Sequence, residues 1–320
     1  MAMSATIDAR AVEAPSGWRR FWIFYGLATA ISAAAWIAYG AQIAGLLHSQ
    51  IPPIIPVLSQ YSPTIAALIL IAREGGLSGL GKFLKRSLNP FVGARWFAAA
   101  VAIPLLMAAG LLALHAVQGA YVPSWASLAG WPDRLAQFLL HPQDASGGAT
   151  GADDTIRALA QWARQGALPA ALVFFGIAFA NGGVSEEAGW RGYALDSLLE
   201  GRRAIFAAVV VGLFWGLWHT GPAFWAGVLQ ARWSVFSIPF EYTLATIPLT
   251  VMMAWIFIAA KKSLLPGMVF HATYNATFFF LTQIWSPGRP VASILEWVGA
   301  TYVAALIVIV LGRRTLLARG

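Results

Sequence analysis

The chain has 320 residues, 59% of them hydrophobic and only 11% charged, with 21 Lys+Arg against 13 Asp+Glu and a mean hydropathy of +0.67. That apolar content exceeds the roughly 45–50% of soluble domains and reads as an integral membrane protein. The positive charge is scattered between apolar runs and forms no basic face of the kind nucleic acid needs, and the lack of cysteine excludes disulfides, thiolate metal sites and a cysteine nucleophile.

Apolar runs near 20 residues long recur along the chain, each sufficient to cross about 30 Å of hydrocarbon as a helix. They show none of the period-two alternation of a barrel, so the expected fold class is all-α, a polytopic transmembrane helical bundle. In chain order the expected spans are Phe21–Leu47, then Pro63–Ala72 with part of the preceding apolar stretch, and Trp96–Gln118. Pro169–Leu195, Ala204–Gly227, Glu241–Ala260, Leu265–Ile284 and Ser293–Gly312 complete about eight crossings. The first run follows basic residues but is too long for a signal-peptide core.

Three regions follow: 1–168 holds the first three helices and an external loop (about 119–168), 169–285 a core, and 286–320 the last helix and a tail. The Gly- and Asp-rich HPQDASGGATGADD in the external loop reads as flexible. With both termini cytoplasmic, fifteen of the 21 basic residues fall inside and five outside, with Arg191 within the bilayer; this bias sets the orientation.

The second half carries polar side chains inside apolar spans: Glu186, Glu187, Arg191, His219, His271 and Asn275. Each charge at the centre of a span costs at least about 2.5–3.5 kcal/mol, so such residues face the bundle interior and mark function. Glu187 and Arg191 stand one turn apart on one face and can pair, which leaves Glu186 as a carboxylate without a local partner. His271 and Asn275 repeat the i, i+4 spacing on another helix, and His219 precedes Gly221-Pro222, expected to kink or end its helix. At about 1.5 Å per residue the four lie roughly 10–20 Å from the cytoplasmic helix ends, close enough in depth to meet.

An acid, two imidazoles and an amide around intramembrane water supply what amide hydrolysis requires: a base for the water, a group to orient it, and donors for an oxyanion. A divalent metal such as zinc, held by Glu186, His219 and His271, is the alternative, and the residues alone leave both open. Trp190, Trp215, Trp218, Trp225 and Trp255 read as bundle packing or interface belt, and His48, His115 and His141 as incidental.

The run Glu186-Glu187-x-x-x-Arg191-Gly192-Tyr193, an aromatic-x-x-x-His element ending at His219, and His271-x-x-x-Asn275 resemble, in that order over residues 169 to 285, the CPBP family of CAAX proteases and bacteriocin-processing enzymes. This family, also called the ABI family, includes the type II CAAX prenyl endopeptidases. One departure is that Trp215 stands where the family usually has Phe, four residues before the histidine.

The resemblance implies an intramembrane endopeptidase acting on a membrane-associated protein or peptide. In it Glu186 is the base, His219 helps to activate water, His271 and Asn275 stabilise the oxyanion, and Glu187 with Arg191 supports the base. The family is commonly labelled metalloprotease, and a metal-free glutamate mechanism is also proposed for it. The rival expectations are a non-catalytic peptide-binding or immunity protein of the same fold and a proton-coupled transporter. The expected location is a prokaryotic plasma membrane, with the lipid bilayer as the standing partner and no nucleic acid.

Overall fold

The computed structural model describes residues 16–43, 45–47, 52, 54–140, 154–219, 237–286 and 289–318, and every regular element among them is helical. The glycine- and aspartate-rich 141–153, Gly221-Pro222, Trp225, His48 and His141 lie outside the described residues.

Each of the eight expected spans contains a helix among its described residues; 220–227, the outer part of the span expected over Ala204–Gly227, lie outside them. The helices are α1 (Gly17–Ile43), α2 (Ile54–Gln60) running into α3 (Ser62–Ser87), α4 (Ala94–Gln118), and a composite α7 (Ala167–Leu198). They continue with α8 (Ala204–Trp218), α9 (Ser237–Ala259), α10 (Leu265–Phe279), extended by a π-turn over Phe280–Ile284, and α11 (Ile294–Leu311). Five described helices are long and apolar enough to cross a membrane, and Ala204–Trp218 is a shorter apolar one. The protein is a polytopic helical membrane protein.

The segment expected as an external loop is largely helical where described. Trp125–Gly130 forms a 3-10 turn, followed by α5 (Trp131–Leu140) and α6 (Asp154–Ala163). The physical reason is amphipathic spacing: Trp131, Leu135, Phe138 and Leu139 recur at helical intervals and pack with Ala163, Ala170, Val173 and Ile284 in a second, smaller core.

Polar contacts at the helix ends sort those ends onto two sides. On one, Arg20 pairs with Glu74 at 2.9 Å and Glu200 at 3.2 Å, while Arg86 and Lys262 converge on Asp196 at 2.9 and 2.5 Å. On the other, His115 at the end of α4 meets Glu296 at the start of α11 at 3.0 Å, and Tyr121 bonds Ser286 at 2.9 Å. The first group belongs to the segments that the charge bias assigns inside, and the second to those it assigns outside. Alternation from charge and contacts from packing therefore agree.

The core of the bundle is organised by close helix approach. Gly212 sits against the backbone of Ile247, so α8 and α9 touch main chain to main chain, and Thr246 donates to the Gly212 carbonyl at 2.8 Å. Gly189 does the same for α7 and α3, where an added Cβ would stand 2.6 Å from Pro63.

Candidate functional site

The helix carrying the two glutamates is not a regular α-helix. Phe179–Val184 and Trp190–Leu195 are π-turns, and the short α segment Ser185–Gly189 between them bears Glu186 and Glu187. A π-turn shifts the backbone register, and such turns concentrate at functional sites. Carbonyls in and beside the widened first turn are satisfied by α2 and the start of α3. Gln60 donates to Asn181 O at 2.6 Å, Tyr61 to Ala180 O at 3.0 Å and Thr64 to Val184 O at 3.1 Å. With no water in the hydrocarbon to take these bonds, the side chains of α2 and α3 hold the turn open.

Glu187 is fully buried and shared. Its Oε1 accepts from Arg191 at 2.9 Å, the pair expected from the i, i+4 spacing, and from His271 Nδ1 at 2.8 Å. A carboxylate accepts and does not donate, so Nδ1 of His271 carries a proton, and among the described residues its Nε2 makes no hydrogen bond. That Nε2 faces Gly182: a Cβ there would lie 2.8 Å from Nε2 and 3.0 Å from Asn275 Nδ2. His271 and Asn275 thus share one face of α10, as their spacing predicts, turned toward the widened turn of α7.

Glu186 has found a partner on another helix. Its Oε2 accepts from the Trp215 indole N–H at 2.6 Å. Trp215 also receives the Arg191 guanidinium over its ring at 4.2 Å and packs on the His271 ring edge-on, centroids 5.3 Å apart. Its carbonyl accepts from His219 Nδ1 at 2.8 Å, which fixes the orientation of that ring. His219 stacks on Tyr242 at 4.8 Å and meets the edge of Trp218 at 4.9 Å.

Every predicted residue is therefore in one contact network. Glu186, Arg191, His219 and His271 each touch Trp215, Glu187 joins through Arg191 and His271, and Asn275 lies beside His271. Trp215 itself reads as a packing residue in the sequence. The signal that singles it out is its N–H in the place of an expected phenylalanine. A second residue the sequence reading did not select is Thr250, which accepts from Arg191 at 3.3 Å. His115, read as incidental, stays outside the network.

Among the described residues no group of three His, Cys, Asp or Glu side chains is arranged to hold a metal ion. Two surface clefts, of about 580 and about 570 Å3, lie at His115–Glu296 and at Arg20–Asp196–Lys262, and neither is lined by the residues of this network.

Residues 168–277 match the family model described as type II CAAX prenyl endopeptidase Rce1-like, a stretch nearly coincident with the 169 to 285 that carries the three motifs. This segment is Rce1-like. It includes Glu186, Glu187, Arg191, Trp215, His219, His271 and Asn275. A protein of Methanococcus maripaludis, named CAAX prenyl protease 2, is 34% identical over 93 residues, which cover 28% of this chain and 34% of that relative. The chain thus spans about a third of the length of this relative, and the family model falls on α7 to α10.

Proposed function

We propose that the protein is an intramembrane endopeptidase that cleaves a peptide bond of a membrane-associated chain with water activated by Glu186. The observation that carries this reading is the convergence on Trp215: three separate helices bring a carboxylate, two imidazoles and, beside them, an amide to one intramembrane locus. The Rce1-like segment supports it at the level of family.

In this reading Trp215 holds Oε2 of Glu186, leaving Oε1 to take a proton from water as the oxygen adds to the scissile carbonyl carbon. His219 accepts a hydrogen bond from that water at Nε2. The tetrahedral oxyanion is met by the Asn275 amide, which donates in every protonation state, and by Nε2 of His271, which donates only when the ring is doubly protonated. The protonated Glu186 then passes its proton to the departing amine as the C–N bond breaks, giving a free carboxylate and an amine.

The substrate class proposed is a peptide or protein held at the membrane near a chain end, since the reacting groups lie within the span of α7, about 18 Å from its end at Leu198 at 1.5 Å per residue. The test compares membrane peptides of cells carrying the wild-type chain and Glu186→Gln. Accumulation of uncleaved precursors in the variant is expected, with a loss of at least about a hundredfold in cleavage by purified protein. Unchanged cleavage overturns the mechanism. A phenotype that survives both Glu186→Gln and His271→Ala identifies a peptide-binding protein instead.

A further inference from the structure

The third helix does not run straight. Gly76 has φ 61° and ψ −161°, a conformation outside the helix region and open to glycine alone. It lies two residues after Glu74, the acid that binds Arg20 and accepts from Tyr193 at the charged end of the bundle. The membrane crossing is therefore Ile54–Gly75, α2 continued into α3, about 33 Å at 1.5 Å per residue, which matches the hydrocarbon core. Residues 77–87 form a separate helix that begins where the span leaves the lipid.

One face of this second helix is fixed to the protein. Phe83 is buried against Gly192 and Leu264, and the Ser87 carbonyl accepts from the Leu264 N–H at 2.8 Å and from Ser263 at 3.2 Å. The next face is apolar and uncovered. Leu77, Leu84 and Leu88 fall within about 40° of one another at 100° per residue. All three are exposed, Leu77 to 86%, and Phe91 just beyond is 90% exposed. Beyond that stripe the helix turns basic: Lys82 and Lys85 are exposed and, among the described residues, make no ion pair, while Arg86 is held by Asp196.

We infer that residues 77–87 form an interfacial helix that, with Leu88 and Phe91 just beyond its end, lies on the leaflet at this end of the bundle, with Leu77, Leu84, Leu88 and Phe91 in the acyl boundary and Lys82 and Lys85 against anionic lipid headgroups. The order of the faces, protein, apolar, basic, is what a helix lying in that boundary requires. The occupant is lipid and not a second protein for two reasons. The stripe continues directly from a membrane span, and the uncompensated charge beside it is positive, the sign that anionic headgroups attract.

The chain has no cysteine, so single cysteines report from one place each. Full-length protein bearing Leu84→Cys, Leu88→Cys or Ser78→Cys, each labelled with an environment-sensitive fluorophore, is reconstituted in vesicles of phosphatidylcholine alone or mixed with phosphatidylglycerol. Brominated acyl chains should quench the labels at 84 and 88 at least about twofold more than the label at 78, with aqueous iodide showing the reverse order. Phosphatidylglycerol should increase the quenching at 84 by brominated acyl chains, and adding Lys82→Gln with Lys85→Gln should abolish most of that increase. Iodide quenching at 84 and 88 equal to that at 78 places the helix in water and overturns the inference. Shielding from both quenchers shows a protein covering the stripe and overturns it too. An increase that survives the lysine substitutions removes the headgroup part of the claim.

Discussion

Replacing Glu187 by glutamine tests the centre of the network without needing a substrate. The carboxylate has no solvent exposure; one oxygen takes both Arg191 and His271, and the other has no hydrogen-bond partner among the described residues. Glutamine keeps the volume and the accepting oxygen but leaves the Arg191 cation buried. Removing one partner of a buried pair costs about 3–5 kcal/mol. Arg191 keeps its place over Trp215, worth about 2 kcal/mol when desolvated, so the lower end, about 3 kcal/mol, applies here. That is a little over two decades in the folded-to-unfolded ratio, measurable by titrating detergent-solubilised protein with a denaturing detergent. Arg191→Met strands the carboxylate instead and should cost a similar amount. The double variant, with no net charge left to bury, should be more stable than either single one, a coupling of at least about 2 kcal/mol. Additive effects, or a Glu187→Gln variant within about 0.5 kcal/mol of wild type, refute the claim that this ion pair holds α7 in place.

Three further outcomes are expected. Trp215→Phe keeps the ring over Arg191 but deletes the donor to Glu186; a hydrogen bond to a charged group is worth about 1.5–3 kcal/mol, so kcat should fall about tenfold to a hundredfold with KM unchanged, as read by steady-state cleavage. Gly182→Ala puts a methyl 2.8 Å from the His271 ring and should abolish cleavage while the protein still elutes as a folded species on size exclusion; wild-type activity would show that His271 has room to spare. Gly76→Ala meets no steric neighbour and is penalised only through its backbone, so it should lower stability by about 1–3 kcal/mol in thermal unfolding, and no change would mean the helix straightens freely.

Much of this was legible in the sequence because the membrane restricts what a polar residue can do. A run such as Trp96–Gln118 has no alternative to a helix in hydrocarbon, and it is one, Ala94–Gln118. Glu187 and Arg191 pair because helical spacing alone sets them one turn apart. What the sequence concealed depends on contacts between helices or on backbone geometry. The π-turn before Ser185 leaves no local mark beyond Gly182-Gly183, and is held by Gln60, Tyr61 and Thr64 of α2 and the start of α3, more than a hundred residues away. The bend at Gly76 is one of two consecutive glycines, and nothing in the letters chooses between them. The helices α5 and α6 were hidden because an external segment invites reading as a loop, although Leu135 and Phe138 show helical spacing.

The two adjacent glutamates show how position, not residue type, divides their roles. Both enter an apolar bundle, where two bare carboxylates side by side would repel and cost several kcal/mol each to desolvate. The structure neutralises one of them: Glu187 takes a guanidinium and an imidazole on a single oxygen and is fully enclosed. Its charge is committed to holding Arg191 and His271. Glu186, about 100° round the helix, is met by the uncharged indole N–H of Trp215, which takes one oxygen and brings no positive charge to the carboxylate. A lysine or arginine at position 215 would pair with Glu186 and convert it into a second structural anchor. On this argument Trp215→Arg should be as inactive as Glu186→Gln in the cleavage assay while remaining folded, whereas Trp215→Phe retains partial activity; equal activity of the arginine and phenylalanine variants would show that the charge of the partner does not matter.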